Sequence, residues 1–183
     1  WVMPDVRGQI LDFVREKLVS GGLVYVSYNC MPGWAPVGPI QRLLKEIDDR
    51  SSRQSFAVID EGMDLLKQLV DHSSAFVAHN PTIKTRIEKM AKQDKAYLAH
   101  EFLNAGWSPI YVTDAMNECA SAKATYVGSA SIAENRTDLS APRDLIPLIR
   151  NAPDIAMQEL LKDYAINKQF RRDIYVKGPQ RLN

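Results

Sequence analysis

LVSGGLVYVSYNCMPGW, running from Leu18 to Trp34, sets one apolar segment between two turns, and its character decides the fold class. A helical pattern leads into Ser20-Gly21-Gly22, where glycine supplies the φ > 0 freedom that a tight helix-to-strand turn requires. Leu23 to Tyr28 then reads as a strand. It is rich in β-branched and aromatic residues and almost continuously apolar, the composition of a strand covered on both faces. At its carboxyl end the polarity changes at Ser27, Asn29 and Cys30, and Pro32-Gly33 turn the chain. Ligands of open α/β sheets lie beyond the carboxyl ends of strands. That makes Ser27, Tyr28, Asn29 and Trp34 candidate site residues: the amide both donates and accepts hydrogen bonds, and the aromatic rings can wall a pocket. The competing account makes Tyr28 and Trp34 core packing and Asn29 a turn residue.

Upstream, Pro4-Asp5 opens a helix whose Val6, Ile10, Phe13, Val14 and Leu18 form one apolar stripe. Downstream the pattern is helical, with no strand signal between about 36 and 95. Ile40, Leu43, Leu44 and Ile47 make the segment Gly38 to Asp49 amphipathic. Ser51 and Gln54 have capping-box spacing ahead of a helix carrying Phe56, Ile59, Met63, Leu66 and Val70. Asn80-Pro81 starts another, with Ile83, Ile87 and Met90 on its inner face. A further helix holds Tyr97 to Leu103 and stops near Gly106, and Trp107 to Val112 is an extended connector. Thr113 or Asp114 caps a helix through Met116 and Cys119, leading to a strand from Thr125 to Ile132 and a loop from Asn135 to Pro142. A short helix from Arg143 to Arg150 precedes a longer one that starts at Pro153-Asp154 and runs through Ile155, Leu160, Leu161 and Tyr164. The last strand is Asp173 to Lys177.

The 183 residues suffice for one large or two small domains. A net charge of +1 gives no footprint for nucleic acid or an anionic membrane. No apolar run approaches the roughly 20 residues of a membrane span, and no signal-peptide pattern is visible. Cys30 and Cys119 sit in apolar surroundings without partner spacing. They read as small buried hydrophobes, compatible with a reduced, cytoplasmic setting. Opening on Trp1-Val2-Met3, an apolar lead-in without an initiator Met, leads to the expectation of a fragment or a processed product.

Leu18-x-x-Gly21-Gly22, followed by an apolar strand ending in Ser27-Tyr28-Asn29-x-x-Pro32-Gly33-Trp34, resembles the late half of a class I S-adenosylmethionine-dependent methyltransferase. The closest likeness is to the subgroup with an inserted methyltransferase regulatory domain. Tyr97 to Leu103, Lys162-Asp163-Tyr164 and Phe170 to Gly178 match the same subgroup in the same order. The resemblance implies an α/β fold: the C-terminal part of a Rossmann-like methyltransferase sheet with a large all-helical insertion. Residues 1–35 would be a late helix–strand segment, 36–110 a helical regulatory or substrate domain, and 111–183 a mixed segment completing the sheet, whose last two strands run antiparallel.

The cofactor implied is S-adenosylmethionine, bound by the full-length protein mainly through a Gly-rich turn after the first strand and an acidic residue after the second. This chain contains no G-x-G-x-x-G, and the first four strands are absent, so no residue here is assigned to the cofactor. Methyl transfer rests on positioning, desolvation and proton removal. The resemblance places Tyr97, His100 and Glu101 on the acceptor side beside Tyr28, Asn29 and Trp34, with His100 as candidate general base. Aromatic walls attract a sulfonium or ammonium group. The acceptor is unknown. Some members of the subgroup modify protein lysines, so a protein acceptor is one expectation, and a homo-oligomer is another.

His100-Glu101 is not a zinc motif, because position 104 is Asn, and His72 and His79 bracket a loop without ligand spacing; no metal is expected. Arg171-Arg172 and Lys177 alternate with Phe170, Ile174 and Val176 as in a strand with one solvated face. The rival to the enzyme is a non-catalytic interaction or regulatory module without cofactor binding. An apolar surface left exposed where the missing strands should pack would favour a truncated enzyme or a dimer. A hydrolase fragment lacks its G-x-S-x-G.

Overall fold

The computed structural model describes residues 2–178, so Trp1, the start of the expected lead-in, lies outside it. The order of elements is α1 (Pro4–Lys17), β1 (Leu23–Asn29), α2 (Gly38–Asp49), α3 (Ser55–Asp71), α4 (Ala75–His79), α5 (Pro81–Met90), α6 (Lys95–Phe102), α7 (Val112–Ser121), β2 (Ala124–Ser129), α8 (Thr137–Ser140), α9 (Ile146–Arg150), α10 (Ile155–Ile166) and β3 (Phe170–Lys177). Short 3-10 turns lie at Ala35–Val37, Ile132–Asn135 and Arg143–Leu145. These elements form two units, one from Ala35–Trp107 and one from Val2–Trp34 together with 108–178.

The second unit holds a three-stranded antiparallel sheet in the order β1-β3-β2. Val24 stands opposite Tyr175 and Tyr28 opposite Arg171, while Ser129 of β2 stands opposite Asp173. Side chains alternate across a sheet, and one face carries Val24, Val26, Tyr126 and Tyr175 into a core with Leu11, Met116, Cys119 and Ala124. Arg7 of α1 is paired to Glu118 of α7 at 3.0 Å along this covered side. The opposite face is open at β1, where Leu23 is 66% and Tyr25 55% exposed, while Val176 of β3 is buried there. The expectation that β1 is covered on both faces is therefore corrected. Among the described residues β1 pairs with β3 alone and is an edge strand, and its outward residues are apolar without cover in this chain.

α1 forms where its periodicity predicts, but it buries no residue fully. Leu11, Val14 and Leu18 are half-buried, whereas Val6, Ile10 and Phe13 point to solvent. The predicted stripe is wider than the surface α7 offers it.

In the helical unit the stripes are met. Ile40 and Leu44 of α2, Ile59 and Leu66 of α3, and Ile83, Ile87 and Met90 of α5 are buried together with Leu98 and Phe102 of α6. Gly62 allows α2 and α3 to approach, since a Cβ there would lie 2.1 Å from the Leu44 Cδ2. Helix starts differ from expectation for local reasons. Ser51 Oγ accepts from the Arg53 backbone N–H (3.0 Å), so it serves a turn, Gln54 takes the N-cap position of α3, and Phe56 is exposed. The loop between His72 and His79 contains α4, capped by Ser74. Asn80 precedes α5, but its amide donates back to the Phe76 carbonyl (2.9 Å) rather than capping forward. Asp94 caps α6 through the Ala96 and Tyr97 N–H groups.

In the sheet unit, Tyr111 is the N-cap of α7, and the Asp114 carboxylate accepts from the Tyr111 N–H instead of opening the helix itself. β2 stops at Ser129 rather than Ile132. A bulge at Gly128 and the paired hydrogen bonds of Asn135 with the Ser129 backbone bend the chain into the 3-10 turn. The expected loop over 135–142 holds α8, and β3 begins three residues early, at Phe170.

The largest correction concerns α10 and β3. α10 runs through Ile155, Leu160, Leu161 and Tyr164 as expected, but Ile155 and Tyr164 are exposed, and Glu159, Lys162 and Asp163 are buried. In β3 Arg172 is exposed and Val176 buried, as expected, but Phe170 is exposed while Arg171 and Asp173 are buried. Each inversion makes the other affordable, because the buried charges compensate one another.

Candidate functional site

The carboxyl end of β1 is built as a clamp. Cys30 continues the strand into a single parallel bridge with Ile110, and Met31 N–H donates to the Ile110 carbonyl at 3.1 Å. On the other side the turn after α10 supplies two carbonyls. Gln169 O accepts from Cys30 N–H (2.9 Å) and from the Trp34 indole Nε1 (2.8 Å). Lys168 O accepts from Gly33 N–H (2.9 Å), and the Cys30 thiol lies 3.4 Å from it. A Cβ on Gly33 would stand 2.3 Å from that carbonyl, so the close approach needs glycine. Asn167, in the left-handed region at φ 51°, ends α10 and aims the two carbonyls.

Beneath the clamp lies a buried cluster of charges with Arg171 at its hub. Its Nε reaches both oxygens of Asp173 (3.1 and 2.9 Å), Nη1 reaches Asp163 Oδ1 (2.6 Å), and Nη2 reaches Glu159 Oε2 (2.8 Å) and the Tyr126 hydroxyl (3.2 Å). Lys162 Nζ donates to the other Glu159 oxygen at 2.6 Å. The hydroxyl of Tyr28 donates to Asp173 Oδ2 at 2.7 Å, which ties the end of β1 into the cluster. Burial, reinforced by the Asp173 carboxylate, raises the Tyr28 pKa above the ordinary phenol value. Burial pushes Asp163 up to about 7 against the pull of Arg171, and pushes the Cys30 thiol up to about 12, with Asp163 adding to it. Glu159 resists burial: hydrogen bonds from Arg171 and Lys162 hold it below the usual carboxylate range.

Chemically this end of the sheet is a scaffold. Tyr28 and Trp34 have their polar atoms committed to Asp173 and Gln169, and Trp34 is buried. Asn29 is half-buried at the last pair of the β1–β3 ladder, its carbonyl accepting from Ile110 N–H at 3.3 Å, and Ser27 is exposed opposite Arg172. The structure thus brings Tyr28, Asn29 and Trp34 together in the sheet unit. Tyr97, His100 and Glu101 lie on α6 of the helical unit. Tyr97 and Glu101 share one face of α6 at i, i+4; Tyr97 is 45% exposed and Glu101 is buried. The Tyr97 pKa is raised by burial and by the Glu101 charge, eased by Arg86 of α5. His100 is exposed. Among the described residues no group of three His, Cys, Asp or Glu side chains is placed to hold a metal ion, and no helix is long and apolar enough to cross a membrane.

The hub is what sequence reasoning missed. Its signal was present in two halves: Glu159, Lys162 and Asp163 lie at i, i+3 and i+4 on one helical face, and Arg171 and Asp173 alternate on one strand face. Neither half is meaningful until the other is placed against it.

Residues 94–177 match the family model described as a predicted methyltransferase regulatory domain, so this part of the chain carries the domain that the sequence resembles. The uncharacterized protein sll1526 of Synechocystis sp. is 33% identical over 178 residues, covering 97% of this chain and 35% of that protein. The uncharacterized protein RP789 of Rickettsia prowazekii is 25% identical over 190 residues, covering all of this chain and 33% of its own length. The chain therefore spans about a third of the length of these curated relatives. Among solved structures, PKMT2 from Rickettsia typhi matches with a TM-score of 0.75 and 22% identity, covering all of this chain and 34% of PKMT2. PKMT2 in complex with AdoHcy matches at 0.75 and 21%, covering all of this chain and 35% of the other. At that identity the likeness is one of fold.

Proposed function

We propose that this chain is the acceptor-side and regulatory part of an S-adenosylmethionine-dependent methyltransferase. The observation that carries it is the unfinished sheet: among the described residues β1 pairs with β3 along one edge and meets only Ile110 at the end of the other, with Leu23 and Tyr25 exposed on its outer face. Single exposed apolar residues are ordinary, but a contiguous set marks an interface. In this proposal the sheet continues beyond β1 into a Rossmann-like half, and that half closes over the apolar face. The match of residues 94–177 and the fold shared with PKMT2, solved with AdoHcy, support it. AdoHcy is the product left when S-adenosylmethionine has given up its methyl group. The cofactor half would contain the Gly-rich turn that is missing here, so cofactor binding belongs to the longer product.

For the acceptor we propose a nucleophile on a protein, a lysine amine first. Tyr97 beside the buried Glu101 offers a ring and a carboxylate, a pairing suited to a cationic amine. His100, one turn along, is the candidate to take the proton that such an amine must lose before it attacks. Nucleic acid and membrane are not partners in this proposal, which sets the protein in the cytoplasm. The second reading, a non-catalytic module, draws on the commitment of Tyr28 and Trp34 to structural bonds.

The deciding experiment is a calorimetric titration of S-adenosylhomocysteine into the product of the complete gene, with the 183-residue chain alongside. Binding by the longer product and none by this chain is the expected result. No binding by either overturns the enzyme and leaves the module.

A further inference from the structure

We propose that Asp163 is a positioning residue: it keeps a proton on its carboxyl in the folded chain from the ordinary aspartate range up to the approach of neutrality, and that neutral carboxyl fixes the turn from Tyr28 to Trp34. The proposal concerns the strand end assigned above to the acceptor side, but it rests on the geometry of the buried cluster.

The first ground is a charge count. Arg171 and Lys162 bring two positive charges; Glu159, Asp163 and Asp173 bring three carboxyls, and all five residues are buried. Both oxygens of Glu159 and of Asp173 have hydrogen-bond donors. Asp163 Oδ1 has Arg171, but Asp163 Oδ2 is buried with no partner. A bare carboxylate oxygen away from water is far costlier than a neutral carboxyl, so the surplus negative charge is removed most cheaply at Oδ2.

The groups facing Asp163 offer no alternative. Glu159 and Lys162 on its own helix are paired with each other, and Arg171 and Asp173 of β3 are paired with each other as well as with their other partners. Tyr28 of β1 and Tyr126 of β2 donate to Asp173 and Glu159. Cys30 is a thiol raised well above its ordinary value, partly by Asp163 itself. Lys168, in the turn after α10, is engaged by Glu134. The upward shift of Asp163 to about 7 agrees with this count.

The second ground is connectivity, because both ends of Asp163 lead to the same turn. Through its side chain the path is Asp163, Arg171, Asp173, Tyr28. Through its backbone, the Asp163 carbonyl accepts from Lys168 N–H at 2.9 Å, and the carbonyls of Lys168 and Gln169 then hold Gly33, Cys30 and Trp34. Ionising Asp163 sets its charge against Glu159 and Asp173, the residues that Arg171 holds in place. The strain is delivered to both sides of the clamp.

The test is made on the 183-residue chain labelled with ¹³C at aspartate carboxyls, following Asp163 through pH by NMR, with Asp163→Asn to assign the signal. In parallel, amide exchange is measured at Cys30 and Gly33, corrected for intrinsic pH dependence, with Ile59 and Leu66 of α3 as references. The expected result is an Asp163 carboxyl that titrates near neutrality, with protection at Cys30 and Gly33 falling by up to about tenfold for each pH unit between the unfolded aspartate value and that point and levelling off above it, while α3 is unchanged. Asp163→Asn should remove the pH dependence at those two amides. If that variant does not fold, the unsubstituted chain still decides. A carboxyl titrating in the ordinary aspartate range overturns the proposal, as does a neutral titration that leaves Cys30 and Gly33 equally protected. No cofactor or acceptor enters the experiment, so its failure and the failure of the methyltransferase proposal remain distinguishable.

Discussion

Replacing Arg171 by leucine would leave Glu159, Asp163 and Asp173 buried without their common cation, and a loss of about 3–5 kcal/mol is expected by urea denaturation. Lysine should recover little of it, because one ammonium cannot reproduce the planar fork that meets three carboxylates and Tyr126. Gly33→Ala is expected to cost about 1–3 kcal/mol, since its methyl group must displace the Lys168 carbonyl; a shift in Trp34 fluorescence would report the opened clamp. The pH dependence of stability follows from two opposed groups. Asp163 has its folded pKa raised to about 7 from about 3.9 unfolded. Its contribution is therefore whole below the unfolded value and is lost as pH rises toward 7. Glu159 is lowered, so its contribution is present above the unfolded value and lost as pH falls below it. The melting temperature should peak on the acid side of neutrality, and Asp163→Asn should flatten its decline toward pH 7. At this scale the sequence located the strand end at Tyr28, Asn29 and Trp34 but not what holds it. A charged side chain is normally solvated, and only the facing helix reveals that Arg171 is not.

Among the elements, α5 was the most legible. Ile83, Ile87 and Met90 keep helical spacing, and their cover comes from neighbouring helices of the same unit. α1 was legible as a helix and not in its burial, because Leu11, Val14 and Leu18 are half-buried while Val6, Ile10 and Phe13 are exposed. α10 was legible as a helix and not in its buried face: Glu159, Lys162 and Asp163 are buried, and Arg171, the partner of Glu159 and Asp163, lies on β3. The start at Ser51 failed because its hydroxyl serves a turn instead, whereas Asn80-Pro81 starts α5 as expected, with the Asn80 amide turned back to Phe76. Asp154 is the clear case: its carboxylate accepts from Met157 N–H at 2.8 Å at the start of α10. Asp154→Ala should cost about 1 kcal/mol, seen as a lower urea midpoint at unchanged slope, and should leave the Arg171 cluster intact.

At the scale of the whole molecule, the open sheet face is the feature with the plainest solution consequence. The isolated 183-residue chain should self-associate through Leu23, Tyr25 and the free edge of β1, and sedimentation velocity should show a species that grows with concentration. Leu23→Lys with Tyr25→Lys should return it to a monomer; persistence of the larger species would locate the contact elsewhere. Sheet topology was only half legible. The three strands could be found one by one, but nothing local says that β3 lies between the other two. That arrangement bears on how the protein is made. β1 and β2 both wait for β3, with Tyr28 meeting Arg171 across 143 positions of sequence, the difference between their residue numbers. A ribosome will release α2 to α6 in order, able to pack as they emerge, while the edge of β1 that meets β3 waits until β3 is synthesised. A stop codon in place of that of Phe170 would remove the middle of the sheet and the hub of its charges together, leaving a helical unit attached to two strands with nothing between them.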